Sequence, residues 1–311
     1  MISVVIPYYN EGACAKELLP RTEAALAPLG EDFEVVVVDN GSSEAEALVL
    51  ERLAAMGKGI RIVRLSRNFG YQGALWAGLD AARGDAVVFM DGDGEDPPEV
   101  IPEFVAKWRE GFAVVYGVRL SRRSSRFGKF CYWAFYRVLA RSSPFFIPLD
   151  AGEFSLISGR ALGAIRNFSD RTRMLRILRA WVGFKQAEVP YHRRERIAGT
   201  SKFGFFRAVT FAWDGFVAST DLPVRLSIYA SVCCFFLGAI GSIYYLCWYF
   251  FGNVKIPGFA SLNITLLVLF AILFACFSIM ARYIITLLDE TRKRPPYLVE
   301  REINPGEGQD R

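Results

Sequence analysis

The chain has one histidine, His192, in 311 residues. That excludes a metal centre built from several imidazoles. A Ser-His-Asp or Cys-His centre would have to use His192, which sits in the arginine-rich stretch "YHRRERI" with no suggestive neighbour. Cys14, Cys131, Cys233, Cys234, Cys247 and Cys276 form no CxxC pair, and four of them fall in apolar stretches near the C-terminus. They read as small apolar fillers in a reducing compartment, not as a disulfide framework. Charge is absent from Leu226 to Gly252 and again from Ile256 to Ala281. Each stretch exceeds the ~20 residues that cross a ~30 Å hydrocarbon core, and core helices of this length rarely lack every charge. The two read as a transmembrane hairpin.

The flanks of the hairpin give an orientation. Arg225 precedes the first stretch, and Arg282, Arg292, Lys293 and Arg294 follow the second, whereas the connection Asn253-Val254-Lys255 carries one positive charge. The positive-inside bias then places both termini and residues 1–224 in the cytoplasm. The opening "MISVVIPYYN" lacks a charged n-region and reads as a strand, so no signal peptide is expected.

The part before Pro223 alternates strands and helices. Strands are predicted over 2–9, 33–39, 60–66, 86–90 and 113–117, and helices over 11–29, 44–56, 71–82 and 97–110. This order implies an α/β fold with a mainly parallel sheet covered on both faces, whose ligands sit at the carboxyl ends of the strands. Past Arg119 the chain changes character. Arg119, Arg122, Arg123, Arg126, Lys129, Arg137 and Arg141 accumulate with no acid between them, interleaved with aromatic residues such as Phe127, Tyr132 and Trp133. Beside an apolar hairpin, such a segment suits an anionic membrane surface better than nucleic acid, and the net charge of +5 is modest for a nucleic-acid binder. Residues 203–218, rich in Phe and Trp, read as a second interfacial helix.

The chemistry concentrates in "FMDGDGEDPPE". Asp91, Asp93, Glu95 and Asp96 crowd together directly after the apolar run 86–90. A buried strand ending in several carboxylates is unfavourable unless something positive pairs with them. A lone DxD triplet is more often a solvated turn. Here the alternation can aim Asp91, Asp93 and Glu95 at one point, and hard oxygen ligands of this kind suit Mg²⁺ or Mn²⁺ bridging to a substrate diphosphate.

The set "IPYYNEG", "VVVVDNGSS", "LSRNFGYQGALWAGLDAARGD", "VVFMDGDGEDPPEVIP" and "VVYGVR" resembles family 2 glycosyltransferases of the GT-A fold. The later "RERIAGTSKFG" and the hairpin narrow this to polyprenyl-phosphate glycosyltransferases, the group of dolichol-phosphate mannose synthase and bactoprenol glucosyltransferases. The resemblance implies a Rossmann-like GT-A catalytic domain over 1–203, whose segment 119–150 meets the membrane. An interfacial helix (204–224), the hairpin (225–289) and a cytoplasmic tail (290–311) would follow. It implies roles by position. Pro7, Tyr9, Glu11 and Asp39 match nucleotide-binding positions; Asp91, Gly92 and Asp93 match the metal and diphosphate motif, with Glu95 as a further metal ligand. Arg119 and Arg196 match basic residues near the phosphates. Lys202 matches a residue closing over donor and acceptor phosphates, and Arg126 and Lys129 would meet the acceptor phosphate. Asp150 matches an acid near the acceptor, catalytic or sugar-orienting.

The implied reaction is metal-dependent, inverting transfer from a nucleotide-sugar to a polyprenyl phosphate in the bilayer. A phosphate monoester with a second pKa of about 6 is already a nucleophile and hardly needs a general base. The implied cofactor is Mg²⁺ or Mn²⁺, the leading donor UDP-glucose, and the implied assembly a homo-oligomer, a tetramer by analogy. Three features depart from the family's usual pattern: Asn40 in place of a second Asp, "GEFSL", and Glu95 where relatives often carry Gln. They leave sugar and nucleotide open, including GDP-mannose. The rivals are a processive polysaccharide synthase, which would need a QxxRW-type segment and more spans, and a non-catalytic sugar-nucleotide-binding scaffold.

Overall fold

Val35, Val36, Val37 and Val38 follow one another without a polar break, and the computed structural model shows why. Both faces of their strand are covered, so successive side chains enter opposite cores. Val35 and Val37 pack with helices on one side, Val36 and Val38 with helices on the other. Each valine is at most 1% exposed, and full burial of such a side chain contributes roughly 1.5–3 kcal/mol. The structure describes residues 1–120, 151–168, 174–197, 222–251, 258–292 and 294–304. They belong to two compact units: residues 1–210 with 295–311, and residues 211–294.

The first unit is an eight-stranded sheet in the order β7-β5-β6-β4-β1-β2-β3-β8. In chain order the strands are β1 (Ile2–Tyr8), β2 (Phe33–Asp39), β3 (Ile60–Leu65), β4 (Ala86–Phe89), β5 (Val114–Arg119), β6 (Ala151–Ser158), β7 (Gln186–Tyr191) and β8 (Val299–Ile303). β1, β2, β3 and β4 are mutually parallel, as are β5 and β7. β6 runs antiparallel to β4 and β5, and β8 antiparallel to β3. The carboxyl ends of six strands therefore share one edge of the sheet, where β6 and β8 begin.

Helices α1 (Gly12–Leu26), α2 (Glu44–Met56) and α4 (Ile101–Arg109) cover the face carrying Val35. Helices α3 (Gly70–Ala81), α5 (Gly159–Arg166) and α6 (Leu175–Trp181) cover the other. The expected mainly parallel α/β sheet is present. The helix predicted to open at Pro97 begins as a 3₁₀ turn, Pro98–Val100, before α4. The segment read as a tail contributes β8, which closes the open edge of β3.

The second unit contains α7 (Leu222–Phe251) and α8 (Phe259–Thr291), which pack against each other. Large apolar side chains stand exposed on both, among them Phe235 and Phe236 on α7 and Phe270 and Phe274 on α8. Among the described residues one helix is long and apolar enough to cross a membrane, α8 over Val268–Ile285; the apolar stretch of α7 counted on the same basis is Ser227–Phe236. Of the basic-aromatic segment expected over 119–150 and the interfacial helix expected over 204–224, residues 121–150 and 204–221 lie outside the described residues, and 222–224 open α7.

Candidate active site

Pro7 lies in β1 opposite Val38, and the chain leaves β1 through Tyr9, half-buried, and Asn10, the one described non-glycine residue with positive φ (51°). Side-chain bonds impose that turn: the Asn10 N–H donates to Ser42 Oγ (3.0 Å), and Asn10 Oδ1 accepts from the Ser43 N–H (2.9 Å). The loops after β1 and β2 are thereby tied together. Glu11 starts α1, its carbonyl accepting from the N–H groups of Cys14 and Ala15. Asp39, ending β2, is 1% exposed; its Oδ1 accepts from the Ser42 N–H (2.9 Å). Its Oδ2 and Arg64 Nη1 lie 3.8 Å apart, both buried and both without a hydrogen-bond partner.

Beyond β4 the acidic run folds tightly against β1. A Cβ on Gly92 would lie 2.5 Å from the Pro7 carbonyl oxygen, so only glycine permits that approach. The Tyr71 hydroxyl donates to Asp91 Oδ1. Burial, then the charges of Asp96 and Asp93, push the Asp91 carboxyl up to about 7. Asp93 Oδ1 accepts from the Glu95 N–H (3.0 Å), and its Oδ2 accepts from Arg196 Nη2 (2.7 Å). Glu95 pairs with Arg193. Burial and the neighbouring Asp93 raise the Glu95 pKa against the pull of Arg193 and Arg196. Asp96 is 0% exposed, accepts from the Tyr191 hydroxyl (2.6 Å), and leaves Oδ2 without a partner.

The positive partners of the acidic run come from two strand ends. Arg119, ending β5, donates from Nε to Tyr191 Oη (3.2 Å) and stands 3.9 Å from Asp96. Burial works against its charge, but Asp96, Tyr191 and Asp91 together outweigh it and its pKa is raised. After β7 the chain folds over the run: the N–H of Arg194 donates to the Glu95 carbonyl (2.9 Å) and that of Ile197 to the Asp93 carbonyl (3.2 Å). Gly94 adopts φ +77°, and a Cβ there would lie 2.2 Å from Ile197 Cδ1. This two-bond clasp brings Arg193 and Arg196 onto Glu95 and Asp93.

The arrangement puts carboxylates and guanidinium groups face to face at the edge where a parallel α/β sheet binds ligands. Residues 3–163 match the model of glycosyl transferase family 2. The chain belongs to that family. An uncharacterised glycosyltransferase of Synechocystis, sll0501, is 36% identical over 96% of this chain and 94% of its own length. An undecaprenyl-phosphate 4-deoxy-4-formamido-L-arabinose transferase of Klebsiella pneumoniae is 33% identical over 98% of this chain and 94% of its own. A solved mannosyltransferase, PcManGT of Pyrobaculum calidifontis in complex with GDP-Man and Mn²⁺, is 18% identical, covering 93% of this chain and 86% of its own, with a TM-score of 0.43.

In this glycosyltransferase the structure brings Asp91, Gly92, Asp93, Glu95, Arg119 and Arg196 into one cluster. Pro7 backs Gly92, and Asp39 ends the strand beyond β1. Arg126, Lys129, Asp150 and Lys202 lie outside the described residues; Asp150 directly precedes β6. The sequence pattern does not single out Tyr71, Asp96, Tyr191 or Arg193. Asp96 stands in the quoted acidic run, but its partner Tyr191 is 95 residues away, a distance only the fold closes. A second buried group lies beside Tyr71. Arg179 on α6, 0% exposed and pulled down to about 10 chiefly by burial, donates from Nη2 to the Gly152 carbonyl (2.7 Å).

Among the described residues no three His, Cys, Asp or Glu side chains converge as a metal cluster. Asp91 and Asp93 nevertheless fit a Mg²⁺ or Mn²⁺ site, because such ions take one or two carboxylates, keep waters and use substrate phosphates. The burial and acidic neighbours that raise Asp91, and the Oδ2 of Asp96 without a hydrogen bond, mark a cluster that a further positive charge would suit. Glu95, expected as a further ligand, pairs with Arg193, as Asp93 does with Arg196.

Proposed function

We propose that this enzyme transfers a hexose, with UDP-glucose the leading donor, to undecaprenyl phosphate at the cytoplasmic face of a membrane. The observation that carries the reading is the cluster at one sheet edge: Asp91, Asp93, Glu95 and Asp96 opposed by Arg119, Arg193 and Arg196. A nucleoside diphosphate needs both signs, carboxylates to hold its metal and guanidinium groups to meet its phosphates. The acceptor rests on the kinship over nearly the full chain with a transferase named for undecaprenyl phosphate.

Asp91 and Asp93 would hold Mg²⁺ or Mn²⁺, which when bound neutralises the diphosphate and makes the nucleoside diphosphate a better leaving group. Pro7, Tyr9, Glu11 and Asp39 shape the nucleotide end of the site. Arg193 and Arg196, which pair with Glu95 and Asp93, stand where they would serve the phosphates of a bound donor. An oxygen of the acceptor phosphate bonds to the anomeric carbon as the bond from that carbon to the diphosphate oxygen breaks. The electron pair leaves with the nucleoside diphosphate, and the anomeric configuration inverts. Arg126, Lys129 and Lys202 receive the acceptor phosphate, and Asp150 orients the sugar.

Membrane attachment is read as the two-helix hairpin of α7 and α8. The chain leaves the first unit after Thr210 and rejoins it at Pro295, where β8 pairs with β3. An odd number of crossings would put those paired strands on opposite sides, so the pairing of β8 with β3 supports the even number that a two-helix hairpin gives. Both termini then share the cytoplasmic side.

The test is transfer from radiolabelled UDP- and GDP-sugars to undecaprenyl phosphate in detergent, with Mg²⁺ or Mn²⁺ and an Asp93→Ala control. Metal-dependent label in lipid from one donor, absent in the control, is the expected result. Nucleotide binding without transfer from any donor would replace this reading with a non-catalytic one.

A further inference from the structure

The last strand of the chain pairs with β3 out of step. Ile62, Val63 and Arg64 face Ile303, Glu302 and Arg301, but Leu65 faces Val299. Glu300 is thus the extra residue of a β-bulge at the ligand-binding edge. A bulge bends its strand and re-aims a side chain. Glu300 is aimed at Arg64, whose Nε donates to Glu300 Oε2 (3.0 Å).

Arg64 is buried in β3 and uses its nitrogens unequally. Nε is taken by Glu300 and Nη2 by Glu44, while Nη1 makes no hydrogen bond and only a long ion pair, at 3.8 Å, with Asp39 Oδ2, which likewise accepts no hydrogen bond. A buried donor and acceptor that attract each other without closing a hydrogen bond both keep bonding capacity that a ligand can complete. The planar guanidinium has few orientations once two of its nitrogens are fixed.

We propose that β8 belongs to the donor site. The bulged Glu300 is a positioning residue that holds Arg64 with Nη1 beside Asp39, so that the pair presents one donor and one acceptor to the bound nucleoside diphosphate. The inference rests on the reading of Asp39 as a nucleotide-binding residue. It adds that the end of the chain, on the far side of the apolar helices in sequence, completes a site begun by β1 and β2.

The experiment uses the full chain in detergent and measures UDP and GDP binding calorimetrically, with donor and acceptor KM and kcat alongside. Glu300→Ala removes the acceptor for Arg64 Nε; Glu300→Gln keeps one. Glu302→Ala serves as the control, because Glu302 stands on the same strand but 3.8 Å from Arg61, away from Asp39. Glu300→Ala is expected to weaken nucleotide binding and raise donor KM about three- to tenfold, the range of one hydrogen bond, with kcat and acceptor KM unchanged. Glu300→Gln should restore most of the loss, and Glu302→Ala should match the unaltered enzyme. Equal losses in both alanine variants would reduce β8 to a structural strand, and no loss in either would also overturn the proposal. An unaltered enzyme that binds neither nucleotide would overturn the donor reading itself and take the inference with it.

Discussion

Two buried arginines on β3 differ in how their hydrogen bonds close. Arg61 donates from Nε to Glu34 (2.9 Å) and from Nη2 to the Ala81 carbonyl (2.6 Å). Glu34 in turn accepts from Ser3 Oγ (2.5 Å) and the Arg83 N–H (2.7 Å), and Ser3 Oγ accepts from the Gly84 N–H (2.8 Å). None of the side-chain atoms in that network is left buried without a partner. Arg64, three residues on and toward the ligand-binding edge, leaves Nη1 open against the open Oδ2 of Asp39. A closed network holds a fold together; an open one at a strand end is poised for a ligand. The same strand carries both kinds.

The sharpest way to break that comparison is Glu34→Ala, which strips the closed network of its carboxylate and leaves buried Arg61 with only the Ala81 carbonyl and the longer ion pair to Glu302 (3.8 Å). Removing one partner of a buried ion pair costs about 3–5 kcal/mol, so the melting transition in detergent should fall clearly. The kcat/KM of the protein that remains folded should not move. A change in donor KM would mean that the closed network also serves the site.

At the open end the expectation reverses. Asp93→Asn keeps the shape of the side chain but removes a carboxylate from a crowded cluster. Turnover should fall by about 10²–10³-fold, the scale for losing one preorganised electrostatic group, while the melting temperature stays level or rises. A stability loss with intact turnover would make Asp93 structural, through its pairs with Arg196 and Glu95.

Next in size is a pH effect at Asp91, which burial and its acidic neighbours push up to about 7. Divalent cations bind the deprotonated carboxylate, so Mn²⁺ affinity of the metal-free protein should weaken up to about tenfold for each pH unit below that value. Stability moves oppositely. Between the ordinary value of 3.8 and about 7, folded protein carries one proton more than unfolded at this group, so metal-free stability falls as pH rises through that window. Asp91→Asn should flatten both profiles.

The central strands were legible because β-branched runs such as "VVVV" leave no polar face to solvate, and both faces are indeed covered. β8 was not. Val299–Ile303 reads "VEREI", three charges in five residues, and resembles a solvated tail. Edge strands carry such charges to discourage pairing with other chains, so the pattern that hides β8 in the sequence suits its place in the sheet. At the site, the acidic run and the arginines at 119 and 196 could be read from motif alone. Their hydrogen-bond partners could not. Tyr71 and Tyr191 are aromatic residues whose rings pack in the core, and only their hydroxyl groups turn to Asp91 and Asp96. Glu95 shows the same limit: its place in the alternation suggests a metal ligand, and only the clasp formed after β7 shows that Arg193 pairs with it.

The smallest effect tests whether β8 is held by its ends or by its bulge. Just before the strand, the Tyr297 hydroxyl donates to Asp80 Oδ2 (2.7 Å) on α3, and its ring packs against the core beneath. Tyr297→Phe keeps the ring and removes only an exposed hydrogen bond, so it should cost about 0.5–1 kcal/mol. If the bulge alone aims Glu300, this variant melts slightly earlier and binds donor nucleotide normally. If the anchor at Tyr297 sets the register of β8, donor affinity will fall with it. Hydrogen exchange at the backbone N–H groups of β8 would then rise in step, because the strand would slip on β3 rather than merely lose one contact.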